Sequence, residues 1–247
     1  MYAKLLKRVI DFVLALIAVI VLSPFLLIFT VAGAIMMRGN PFFTQLRPGK
    51  KDKHGKEKIF KLIKFRTMSN KIGENGEFLP DEQRLNRYGK FLRSTSIDEL
   101  PSLVNILLGQ LSIVGPRPQL VRDLVFMTEE QRHRHDVRPG LTGLAQISGR
   151  NNISWERKFE YDLLYICRGI TFVGDLKIIL QTIGKVVKRS NTVREGTVSD
   201  MDYGDWMMAK GKVSKEEYDE KQTEARSLLG IAAYKESFYV NNNTGEL

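Results

Sequence analysis

Apolar and polar positions divide this chain sharply at its start. Val9 to Met37, VIDFVLALIAVIVLSPFLLIFTVAGAIMM, is apolar apart from Asp11 and a few small polar residues. As one helix it would run roughly 43 Å, more than the roughly 30 Å hydrocarbon core of a bilayer. Ser23-Pro24 falls near its middle. Proline removes a backbone donor and pushes the residue before it out of the α region. The arms that remain, roughly 20 Å each, are too short to cross alone. Lys4, Lys7 and Arg8 precede the run, and Arg38, Arg47, Lys50 and Lys51 follow it. Positive charge on both flanks favours a helix that enters, bends at Ser23 and Pro24, and returns to the side it came from. A kinked but ordinary transmembrane helix is the other reading. The run is too long for a cleaved signal peptide and no A-x-A-like site follows it.

Beyond residue 38 the pattern becomes that of a folded α+β body. PFFTQLRPG (41–49) predicts an extended segment ending in a Pro-Gly turn, with KKDKHGKEK (50–58) as a basic hairpin tip. IFKLIKFRTM (59–68), with Lys61, Lys64 and Arg66 interleaved among apolar residues, predicts a strand with one basic face. LNRYGKFLRS (85–94) predicts a short helix, and LPSLVNILLGQL a second one ending near Gly109. Gly115-Pro116-Arg117-Pro118 is a rigid turn, and 129–151 combines a polar helix with a glycine-rich loop. WERKFEYDLLYI (155–166) and GDLKIILQTIGKVVKRS (174–190) carry helical apolar spacing. The second puts Leu176, Ile179, Ile183 and Val186 on one face with lysines elsewhere, which suits either a membrane surface or a core contact. SKEEYDEKQTEARSLLG (214–230) opens on a Ser214/Glu217 capping box and predicts a helix ending at Gly230.

Charge divides the chain again. Net charge is +10, yet residues 191–247 hold 7 Lys/Arg against 11 Asp/Glu, so the excess lies in the first 190 residues. A basic body implies an anionic partner: nucleic acid, an anionic membrane surface or a phosphorylated substrate. The pattern sets three regions: a membrane helix (1–38), a catalytic or binding body (39–190) and an acidic extension (191–247). Cys167 is the only cysteine, which excludes a disulfide framework. Nucleotide-binding glycine motifs are absent. His133 and His135, on a polar stretch, read as surface residues.

SIDELPSLVN (96–105) holds the candidate chemistry. Ser96-x-x-Glu99 matches a capping box, although Pro101 would then stand where a helical N–H is needed. The other use of Asp98 and Glu99 is catalytic, with an ionised carboxylate presented as nucleophile at a helix mouth. Arg66, Arg93, Arg117, Arg138 and Arg150 lie in turn or strand-edge segments. Converging guanidinium groups suit a diphosphate, and an aspartate among them suits Mg²⁺.

The ordered set LLKRVIDF, SP in the apolar helix, FTQLRPG, KFRTM, RSTSIDELPSL, SIVGPRPQL and RHDVRPGLTGLAQISGRN resembles the monotopic phosphoglycosyl transferases of bacteria, over about residues 1–190. It is similar to the small single-domain type that acts in glycoprotein glycan assembly. The resemblance implies a mostly helical monotopic protein on the cytoplasmic face of the inner membrane, with a re-entrant helix broken at Ser23-Pro24, interfacial amphipathic helices and a small β element. It implies transfer of a sugar 1-phosphate from a UDP-sugar to polyprenyl phosphate, with UMP released. Asp98 would be the nucleophile and a Mg²⁺ ligand, and Glu99 would assist. Arg93, Arg117 and Arg150 would hold phosphate or nucleotide, with Arg66, Arg138 and Gln146 as further binding residues. The resemblance suggests an N-acetylated, 6-deoxy sugar such as diacetylated bacillosamine, with UDP-GlcNAc, UDP-GalNAc and UDP-galactose derivatives also open. Membrane phospholipid and a second copy of the chain are further expected partners, and nucleic acid is not. Two rival classes are a membrane-anchored anion-binding scaffold and an aspartyl-phosphate phosphohydrolase.

Overall fold

The computed structural model describes residues 2–73, 79–149, 153–188 and 201–229. A π-helical turn, Tyr2–Leu6, runs into α1, Lys7–Met36, a single helix of 30 residues with Pro24 inside it. The helix is not split into two arms. Pro24 cannot donate to the carbonyl four residues back, that of Ile20, and the Ser23 hydroxyl donates to that oxygen instead at 2.7 Å.

One stripe of α1 packs on the body. Ala15, Ala18, Val19 and Leu22 meet Phe60, Leu62, Leu103, Ile106 and Leu111. Polar anchors hold its first turns: Arg8 donates to the carbonyls of Ile106 (2.5 Å) and Leu107 (2.9 Å), and buried Asp11 accepts from Ser112 Oγ at 2.6 Å. Lys7, Tyr2 and Tyr165 converge on Asp175 at 2.6, 2.7 and 2.8 Å. The last turns meet the body too, since Tyr88 Oη donates to the Phe29 carbonyl at 2.8 Å. The remaining surface of α1 exposes Ile17, Ile20, Val21, Phe25, Leu27 and Ile28, among others. An apolar surface of that extent is one that water does not favour.

β1 (Phe42–Lys51) and β2 (Glu57–Phe65) form an antiparallel hairpin running from Phe42↔Phe65 to Lys51↔Glu57. Pro48-Gly49 is therefore inside β1 rather than at its end. The strand absorbs it through a register shift between Pro48 and Lys51. The turn comes at Asp52, whose carboxylate accepts from the backbone N–H of His54 (2.7 Å) and Lys56 (3.1 Å). After α2 (Asp81–Arg84), α3 (Arg87–Thr95) is capped by Asn86, which accepts from the Gly89 N–H at 2.8 Å. A 3₁₀ segment, Ile97–Ser102, leads into α4, Leu103–Leu107. β3 (Ser112–Val114) precedes α5 (Val121–Leu124) and α6 (Glu129–Arg132), and pairs in parallel with β4 (Gly140–Thr142). β4 falls within the glycine-rich stretch, where three residues are too few to show alternation.

α7 (Leu144–Ser148), α8 (Trp155–Cys167) and α9 (Phe172–Val187) follow. The expected face of α9 divides: Ile179 packs inward beside Ile178 and Tyr165, while Leu176 and Ile183 turn out with Phe172, Leu180 and Val187. Those five outward positions share one helical face. α10 (Tyr203–Ala209) and α11 (Lys215–Leu229) lie in the acidic extension, and α11 carries the expected Ser214 cap. Tyr203, Val213 and Ala225 share a core with Phe126, Trp155 and Phe159. His135 is a correction: it is buried, 3.4 Å from Glu57, because the 3₁₀ turn His133–Asp136 folds it under the hairpin.

Candidate active site

The Asp98-Glu99 pair sits in the 3₁₀ segment, and that segment is stitched to β2. Ser102 Oγ donates to the Ile63 carbonyl at 2.7 Å. The Ile63 N–H donates to Asn105 Oδ1 at 3.0 Å, and Asn105 Nδ2 donates to the Lys61 carbonyl at 2.8 Å. Ser102 and Asn105 are each 1% exposed, so these bonds satisfy the backbone of the strand edge they cover while fixing the register of the pair against it. One residue along β2, Lys64 Nζ reaches Glu99 Oε1 at 2.8 Å. Arg117 Nη2 reaches the same oxygen at 2.8 Å from the Pro-Arg-Pro turn.

The capping box does not form. Ser96 is in the left-handed region (φ 58°) and makes no side-chain cap bond, and Glu99 is turned to its two cations. A non-glycine residue held at positive φ costs energy, and such residues gather where geometry serves a site.

Arg93 reaches Thr67 Oγ1 at 3.1 Å. Its helix lies unusually close to that strand end, because a Cβ at Gly89 would stand 1.9 Å from the Thr67 carbonyl oxygen. Arg66 donates to the Met68 carbonyl at 3.0 Å. A cleft of about 770 Å³ is lined by Asp98, Glu99, Lys64, Arg66, Arg93 and Arg117, with Gln146 also on its wall. Arg138 is elsewhere: it donates to the Gly109 carbonyl at 2.8 Å, which makes it a loop anchor. Arg150 lies outside the described residues.

Burial and the adjacent Glu99 charge push Asp98 up to about 6, against the opposing pull of Lys64, Arg93 and Arg117. Burial acts in the same direction on Glu99, but Arg117 and Lys64 outweigh it and hold that carboxyl well below the usual range. Burial lowers Lys64, with Glu99 opposing. The two neighbours therefore differ in kind. Glu99 is a fixed anion spent on two cations, whereas Asp98 is a basic carboxylate facing the cleft, with the charge and position of a nucleophile.

The cleft is also lined by residues to which the sequence assigns no binding role: Lys64, Arg47, Lys158, Asp162 and Asp202. The single basic face expected of this strand divides: period-two alternation sets Lys64 and Arg66 together on the cleft side and Lys61 on the other. Nor does the sequence assign a role to Arg134. Its guanidinium binds Asp162 Oδ2 through Nε (3.0 Å) and Nη2 (2.6 Å), and Nη2 also holds the Arg117 carbonyl at 2.6 Å. That bond fixes the turn that delivers Arg117 to Glu99.

Residues 2–189 match the family model described as bacterial sugar transferase. The chain is 48% identical over 184 residues to the uncharacterised sugar transferase EpsL of Bacillus subtilis, covering 74% of this chain and 88% of that protein. It is 39% identical over 191 residues to the UDP-glucose:undecaprenyl-phosphate glucose-1-phosphate transferase of Klebsiella pneumoniae, covering 72% of this chain and 39% of that protein. It is 31% identical over 204 residues to the undecaprenyl-phosphate galactose phosphotransferase of Salmonella typhimurium, of which it spans 41%. Matched over three quarters of its length and nearly all of EpsL, the chain belongs to the bacterial sugar transferase family.

Proposed function

We propose that this chain transfers a sugar 1-phosphate from a UDP-sugar to polyprenyl phosphate, releasing UMP, and so initiates a membrane-bound glycoconjugate. The observation that carries the reading is Asp98, raised to about 6 and set in a cleft whose wall also holds Lys64, Arg93 and Arg117. At pH 7 such a carboxylate is ionised, and it is more basic than an ordinary aspartate. An Asp98 oxygen attacks the β-phosphorus of the donor, the bond to the bridging oxygen breaks, and UMP leaves with that electron pair. The sugar phosphate stays on Asp98 as an acyl phosphate. A phosphate oxygen of the polyprenyl carrier then attacks the same phosphorus and returns Asp98 as a carboxylate. The two substrates visit in turn, so the kinetics are ping-pong. Glu99 orients Lys64 and Arg117 and does not take a proton, because both cations hold it ionised.

Among the described residues no group of three His, Cys, Asp or Glu side chains converges. A Mg²⁺ ion, for which one or two protein carboxylates suffice, would be held here by Asp98. Such an ion, when bound, neutralises phosphate charge.

The membrane reading completes the proposal. α1 is anchored near both ends to the same body, by Arg8 to Ile106 and by Tyr88 to Phe29. A helix that enters the cytoplasmic leaflet, bends at Pro24 and returns keeps both ends on one side. Cysteine labels placed before Lys7 and after Arg38 then report the same side, and labels on opposite sides would restore a spanning helix.

The direct test incubates the protein with Mg²⁺, undecaprenyl phosphate and a panel of UDP-sugars, and measures UMP. The panel includes glucose and galactose, which the relatives' names carry, and N-acetylated sugars including diacetylated bacillosamine. No UMP from any donor, or undiminished UMP from Asp98→Asn, refutes the proposal.

A further inference from the structure

Residues 201–229 lie beyond the part of the chain that matches the family model, which ends at 189. They nonetheless reach the cleft. Asp202 lines it, together with Arg122, Trp155 and Lys158. Each contact that brings Asp202 there is specific. Trp155 Nε1 donates to the Met201 carbonyl at 3.1 Å, and the Gly204 N–H donates to Asp123 Oδ1 at 3.3 Å. Tyr203 is buried against Trp155 and Phe159, with ring centroids 5.3 and 5.0 Å apart. Arg122 pairs with Asp202, and it also binds Asp205 at 3.0 Å. Asp205 does not line the cleft.

We infer that Asp202, carried into the cleft by the C-terminal segment, is a sugar-selecting residue that binds hydroxyl or amide groups of the donor's carbohydrate. The inference rests on the transfer reaction proposed above. A carboxylate is the wrong charge for the diphosphate, which leaves the neutral ends of the donor as its partner. A carboxylate paired with a guanidinium offers acceptors and donors side by side, which is the chemistry that reads sugar hydroxyls. Two relatives carry UDP-glucose and UDP-galactose in their names, so the sugar is the part of the donor that varies between them. Asp202 lies outside the stretch matched to the family model and lines the same cleft.

A docking role alone is the competing account, and Asp205 separates the two, since it shares Arg122 without lining the cleft. The experiment titrates the full chain in detergent with a panel of UDP-sugars and with UMP, as wild type, Asp202→Asn and Asp205→Asn. UMP release is followed in parallel. Asp202→Asn is expected to weaken the preferred UDP-sugar by roughly tenfold, the effect of losing a hydrogen bond to a charged group, and to flatten the preference. UMP affinity and the preference of Asp205→Asn stay at the wild-type level. The inference is overturned if Asp202→Asn keeps the wild-type preference, if the wild type has none, or if UMP affinity falls with that of the UDP-sugars. It is also overturned if both variants lose the preference equally, because the ion pair then only docks the segment. Absence of UMP release from the wild type sinks the transfer reaction instead, and the binding titration still decides the role of Asp202.

Discussion

Two sets of carboxylates and cations meet at Arg117, and they are built on opposite plans. Behind the Pro-Arg-Pro turn, Arg134 and Asp162 pair one to one through two bonds at 2.6 and 3.0 Å, with exposures of 1% and 2%. In front of it, Glu99 takes both Lys64 and Arg117 on one oxygen, while Asp98 shares neither of those bonds. The rear pair holds the Arg117 backbone and the front group uses its guanidinium. A charge that is returned a partner fixes geometry. A charge left without one of the available cations keeps chemical potential for a substrate. Residue type does not tell these apart; pairing does.

The widest separation should appear in turnover. Asp98→Asn removes the proposed nucleophile without changing its volume, and UMP formation is expected to fall roughly 10³-fold or more. Asp162→Asn, measured in the same assay on protein that remains folded, should fall far less. Equal losses would erase the distinction between the two groups.

Stability should run the other way. Arg134→Ala strands Asp162 in the interior, and loss of one partner of a buried pair costs about 3–5 kcal/mol. Thermal unfolding should show that loss, and an Arg134→Met/Asp162→Leu double variant should recover much of it. A smaller effect of opposite sign belongs to Asp98. Its carboxyl is raised above the ordinary aspartate value, so the fold holds its proton more tightly than the unfolded chain does. Ionised Asp98 therefore opposes folding above about pH 6, and that opposition fades as pH falls towards 4. Asp98→Asn should be more stable than wild type at pH 7.5, on the order of 2 kcal/mol, with the gain shrinking in acid. A destabilised Asp98→Asn would mean that the carboxylate is structural.

Much of this frame was legible in the order of residues. The apolar run gave α1, and Ser214-x-x-Glu217 gave the start of α11, because helical period and caps are local signals. What failed depended on partners distant in the chain. Ser96-x-x-Glu99 matched a cap, but Lys64 and Arg117 claim the glutamate. His135 stood in a polar stretch, and its burial depends on Glu57 from the hairpin. Arg138 resembled a phosphate ligand because it precedes Pro-Gly, yet its partner is the Gly109 carbonyl. Pro48-Gly49 looked like a turn, and a register shift keeps the strand going. Asp202 carried no signal at all, since its meaning comes from Arg122 and the cleft.

The finest test lies within the dyad itself. In the proposed reaction Asp98 attacks only when ionised, so kcat/KM for the donor should decline below about pH 6, approaching tenfold for each further step of one in pH. Two influences raise that limb: burial, and the charge of Glu99 next to it. Glu99→Gln removes the second. It also leaves Lys64 and Arg117 without the anion that absorbs them, so their pull on Asp98 strengthens. Both changes act in one direction, and the acid limb should move to lower pH. The plateau should fall as well, because Arg117 loses the bond that aims it and Asp98 becomes less basic. A limb that stays in place would show that Glu99 does not set the protonation of Asp98. A limb that vanishes would show that Glu99 is itself the titrating group, contrary to a carboxylate held ionised by two cations.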